Sequence, residues 1–156
     1  MDLHISVIAD FKTAFPEIEV VDWCLSGHAW VMKRTQEYPE HINPKTWKNL
    51  TMDMIQRFQD KYDSFLKTFD GFIVAHVDSF AMIYEKYNKP ILMINSCRYD
   101  IPFCWTKDRF MLEKWKECLD RLNSHGLLTI VSNNKADQLY TTLGCGIQPS
   151  YIPSLC

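Results

Sequence analysis

A chain of 156 residues, 47% hydrophobic and 23% charged, is long enough for one folded domain with a real core. Its formal net charge of -2 and its scattered Lys and Arg supply no basic stripe, which argues against the usual electrostatic route to nucleic acid. No apolar run approaches the ~18 residues of a transmembrane helix, so no transmembrane segment is expected.

The first ten residues contain Asp2 and Asp10 and no basic stretch ahead of an apolar run, so no signal peptide is expected. The cysteines Cys24, Cys97, Cys104, Cys118, Cys145 and Cys156 are widely spaced and form no CxxC pair. Without a signal peptide they read as reduced thiols, several of them core fillers, and the expected location is cytoplasmic. Cys24 and His28 are four apart and could share a helix face as metal ligands. No second ligand pair accompanies them, so no metal is expected.

Leu3 to Ile8 reads as a first strand, Asp10 to Phe15 as a short helix closed by Pro16, and Glu19 to Trp23 as a second strand. The stretch from Cys24 to Asn43 has no steady period and reads as a long loop. Asn43-Pro44 offers an N-cap followed by Pro at the first helical position. Trp47, Leu50, Met54, Phe58, Tyr62 and Phe65 then recur at helical spacing, which predicts one long amphipathic helix ending near Phe69. Such an aromatic stripe is the ordinary signature of a core face.

Asp70-Gly71 is a turn signal. Phe72 to Ala75 reads as a buried third strand, Ser79 to Tyr87 as a helix, and Asn88-Lys89-Pro90 as its stop. Ile91 to Ile94 is an unbroken apolar run, as in a central parallel strand. A loop containing Pro102 follows. The next helix spans about Lys107 to Asn123, with Gly126 placed as its C-terminal cap. Its Lys114, Lys116 and Glu117 read as a solvated face. Leu127 to Val131 reads as a fifth strand, Ala136 to Leu143 as a last helix ended by Gly144, and Tyr151-Ile152 as a final short strand. The alternation implies right-handed crossovers and an α/β fold: a Rossmann-like, open, mostly parallel sheet with helices on both faces, in strand order 3-2-1-4-5-6.

Ligands of such sheets bind beyond the carboxyl ends of the strands. The polar residues that follow the predicted strands are therefore the candidates: Asp10 after the first; Asp22, Trp23 and then His28 after the second; His76 after the third; Asn95 and Arg98 after the fourth; Ser132 and Asn133 after the fifth. Asp22 could bind a hydroxyl while the Trp23 indole stacks on an apolar face. Asp10, Ser132 and Asn133 have a plainer reading as helix caps. His76 and Arg98 are not preferred capping residues, although a histidine at a strand end can also be purely structural. Neither GxGxxG nor GxxxxGK[ST] occurs, nor does GxSxG. No nicotinamide cofactor, P-loop nucleotide or other cofactor is expected.

Two segments resemble the N-terminal, acceptor-side domain of GT-B fold glycosyltransferases. One is Asp70-Gly71-Phe72-Ile73-Val74-Ala75-His76, followed by Phe80 to Tyr87 and then Asn88-Lys89-Pro90-Ile91-Leu92-Met93-Ile94-Asn95. It is similar to the family's strand ending in a cleft-facing histidine, its next helix, and a "K-P" opening the following strand. The other runs from Ile130-Val131-Ser132-Asn133 through Tyr140 and Gly144 to Pro149-Ser150-Tyr151-Ile152-Pro153-Ser154, and is similar to the end of that domain. The resemblance covers residues 70 to 156; the first 69 fit by topology only.

The resemblance implies a sugar or glycan acceptor as ligand, with Asp22, His28, His76 and Arg98 lining its cleft. His76 or Asp22 would then act as the catalytic general base. The family's donor-site elements, including a C-terminal glutamate motif, have no counterpart in the 156 residues, and the glycine-rich turn after its first strand is missing. The resemblance thus implies half of a split or truncated enzyme, completed by a separate donor-binding domain or chain. The alternatives are a non-catalytic carbohydrate- or protein-binding domain, and a small flavodoxin-like or deoxyribosyltransferase-like enzyme.

Overall fold

The computed structural model describes residues 12–20, 51–75, 81–95, 101–105 and 107–153. The chain forms two compact units, Met1–Trp47 and Lys48–Cys156. In the first, residues 12–14 make one helical turn. A separate turn follows, in which the Ile18 amide donates to the Phe15 carbonyl at 3.0 Å. Glu19 and Val20 are not in a strand. The predicted strand from Leu3 to Ile8 and the rest of that from Glu19 to Trp23 lie outside the described residues.

The second unit is α/β. Its elements are α1 (Met52–Leu66), β1 (Phe72–Ala75), α2 (Ala81–Tyr84) with a 3-10 turn (Glu85–Tyr87), β2 (Ile91–Asn95), α3 (Pro102–Trp105), α4 (Arg109–Ser124), β3 (Leu128–Ser132), α5 (Lys135–Cys145) and β4 (Ser150–Tyr151). The four strands form one sheet in the order β1-β2-β3-β4. Every pair is parallel, as in a Rossmann-like open sheet.

This order corrects the expected 3-2-1-4-5-6. There the strand at Phe72 lies at one end and the strand at Ile91 beside the first. Instead Phe72 pairs with Ile91, and Ile91 pairs with Leu128. Both sides of β2 are thus occupied. Strands consecutive in sequence end up neighbours, the commonest outcome for consecutive elements.

Stepping always in one direction with right-handed crossovers sets successive helices on one face. The contacts agree. Phe72 stacks on Tyr84 of α2 with ring centroids 4.5 Å apart. Asn95, four residues from Ile91 and so on the same face of the sheet as Phe72, bonds to Thr141 of α5. Helix α4 packs against both α2 and α5. The helices that connect the described strands therefore share one face, and a second helical layer is not among the described residues.

The core lies between that face and the helices. Val74, Ile91, Met93 and Ile130 of the sheet, Ala81, Met82 and Ile83 of α2, and Trp115, Cys118, Leu119 and Leu122 of α4 are all buried. The alternate strand residues Leu92, Ile94 and Val131 are half-buried and Ile73 is exposed. The expected burial of the Ile91 strand on both faces is therefore met fully on one. Helix α2 has only four residues, and its carbonyls are served from outside: the buried Gln59 of α1 donates to the Ile83 carbonyl at 2.7 Å.

Several boundaries differ from expectation. The long helix does not run unbroken from Asn43, because Thr51 is extended (φ -117, ψ 160) and its hydroxyl caps the Met54 amide. A side-chain hydroxyl that satisfies a free amide starts a helix at that point. Residues 43–50 lie outside the described residues. The buried stripe of α1 is Ile55, Phe58, Gln59, Tyr62 and Leu66. Phe65 is 40% exposed and meets Phe69 edge-on. The Pro102 loop contains a short helix with Pro at its first position, where the missing N–H costs nothing. Gly126 is the expected cap glycine, at φ 68. The last helix does not end at Gly144 but continues to Cys145, with Gly146 as its left-handed cap at φ 78.

Candidate functional site

Parallel strands end on one side of the sheet, and the described residues contain the carboxyl ends of all four strands. Asn95 of β2 lies in register with Ser132 of β3, and Ser132 with Tyr151 of β4. Helix α5 starts just past β3, so its first turns lie over this edge.

The side chains along the edge are tied together. Asn95 is fully buried and donates through Nδ2 to the Thr141 hydroxyl at 2.9 Å. Among the described residues its Oδ1 has no hydrogen-bond partner. The Ser132 hydroxyl, 1% exposed, donates to the Asn134 carbonyl at 3.0 Å and accepts from the Asn134 amide at 3.3 Å. Asn134 is the N-cap of α5, its Oδ1 accepting from the Ala136 amide at 2.7 Å. Ser132 thus holds the turn that leads to the cap. Asn133, between them, is half-exposed. Gln138 donates to the Pro149 carbonyl at 2.7 Å, and the Ile152 amide donates to the Ser132 carbonyl at 2.8 Å. These two bonds hold the start and end of β4 in place.

Of the nine candidates, the structure brings Asn95 and Ser132 together on adjacent strands, with Asn133 just past the second. Asn95 and Ser132 are closed to solvent and engaged internally, which leaves Asn133 as the accessible one. Asp10, Asp22, Trp23, His28, His76 and Arg98 lie outside the described residues. Arg98 follows β2, whose neighbours are β1 and β3. His76 follows β1 directly in sequence.

Two buried polar residues at this edge escaped the sequence reading: Asp137, 3% exposed, and Thr141, fully buried. Their four-residue spacing puts them on one face of α5. That spacing was visible, but an acid in the first turn of a helix is also ordinary dipole complementation. Only the pairing of Thr141 with Asn95 reveals which face turns inward.

The displaced pKa values concern other places. Tyr87 is pushed up to about 12, by burial first and by the nearby Asp63 charge second. A hydrogen bond from Lys86 holds the exposed Asp63 below its ordinary value, and one from Lys114 does the same for Glu117. Arg121 grips Glu85 through two bonds, Nε to Oε1 at 2.5 Å and Nη2 to Oε2 at 3.1 Å, which raises its own pKa. Beside this pair Cys118 is raised, by burial first and then by Glu85. Tyr87, Glu85 and Arg121 sit at the ends of α2 and α4 that feed β2 and β3, on the amino side of the sheet. Ligands of open parallel sheets bind at the opposite, carboxyl edge.

Among the described residues no group of three His, Cys, Asp or Glu is placed to hold a metal ion, and no helix is long and apolar enough to cross a membrane. No protein-family model, curated protein or solved structure matches the chain.

Proposed function

We propose that this chain is the acceptor-side domain of a GT-B type glycosyltransferase, which binds the sugar or glycan that receives a transferred sugar. One observation carries the reading. The strands within the two segments that carry the resemblance are neighbouring and parallel in chain order, and their carboxyl ends lie along one edge of the sheet.

His76 is one residue past Ala75, Arg98 three past Asn95, and Asn133 one past Ser132. Neighbouring strands are spaced by ~4.8 Å, so groups that follow their ends are within reach of one small ligand. In this reading His76 orients an acceptor hydroxyl or takes its proton as the oxygen attacks the sugar; a histidine titrates in the right range for that task. Asp22 is the other candidate base. Asp10, Trp23, His28, Arg98 and Asn133 contact the acceptor, while Asn95 and Ser132 hold the frame. The sugar nucleotide is held by a donor-binding domain or a second chain. The buried thiol of Cys118 suits the reducing cytoplasm.

The test is saccharide binding by the purified chain, read by NMR titration against a panel of mono- and oligosaccharides. We expect binding by at least one class, weakened about tenfold, or ~1.4 kcal/mol, by His76→Ala or Arg98→Ala with the melting temperature nearly unchanged. We also expect no turnover of common sugar nucleotides by the 156 residues alone at ~1 per second or faster. Absence of saccharide binding, or unaltered binding together with a large loss of stability in His76→Ala, would count against the reading.

A further inference from the structure

We draw no further inference here: the strongest candidate, the half-exposed apolar sheet face formed by Ile73, Leu92, Ile94 and Val131, carries none because nothing among the described residues shows what covers it.

Discussion

Gly144 shows how much one hydrogen atom in place of a side chain can matter. A Cβ there would lie 3.0 Å from the Phe103 Cβ and 3.3 Å from the Trp115 ring, and Trp115 is fully buried. Overpacking of this kind costs about 1–3 kcal/mol, whereas alanine in a helix gains about 1 kcal/mol over glycine. Gly144→Ala is therefore expected to lose about 1 kcal/mol in urea unfolding; a gain would show that the helices move apart freely. Asn95 and Thr141 make a second case. Thr141→Val would leave both ends of a buried amide unpaired, at a cost of about 1–3 kcal/mol. The double variant Asn95→Leu with Thr141→Val removes both partners, and we expect it to recover most of that loss. A double variant as unstable as the sum of the singles would mean that the pair contributes through shape and not through its hydrogen bond.

The three longer helices α1, α4 and α5 begin where a side chain captures free amides, and this sets their starts more firmly than the apolar pattern does. Asp108 accepts from the Phe110 amide at 3.0 Å and the Met111 amide at 3.3 Å, opening α4. Thr51 and Asn134 do the same for α1 and α5. Asp108→Ala is expected to lower stability by about 1 kcal/mol, as measured by chemical denaturation. Asp108→Asn, which keeps a capping oxygen, should lose much less. Equal losses in the two variants would assign the effect to the carboxylate charge and not to capping.

The sheet is not equally secure across its width. Strand β2 is paired on both sides and carries fully buried Met93 and Asn95. Strand β4 has two exposed residues and pairs with β3. Amides that open only with the core exchange slowest. Hydrogen exchange should therefore be slower in Ile91–Asn95 than in Ser150–Tyr151 by at least about tenfold, or ~1.4 kcal/mol in opening free energy. Uniform exchange across the sheet would mean that β4 unfolds only with the whole unit.

The α/β class and the place of most elements could be read from local signals alone. Apolar runs bounded by turn residues marked strands at Phe72–Ala75, Ile91–Ile94 and Leu127–Val131, and helical spacing marked α1, α4 and α5, because each pattern reports how one segment meets a neighbouring layer. Ser132 as part of a capping turn was likewise legible, since serine before a helix has a standard local use. The order of strands was not, because pairing joins residues 19 or more positions apart and depends on which edge each crossover returns to. Nor could spacing tell that Gly144 is packed inside a helix while Gly146 ends it; both are glycines near a helix terminus, and the difference lies in Phe103 and Trp115. The burial of Asn95 against Thr141, 46 residues away, is of the same kind. Periodicity is a property of one segment, whereas strand order, close approach and buried polar pairs exist only once distant segments have met.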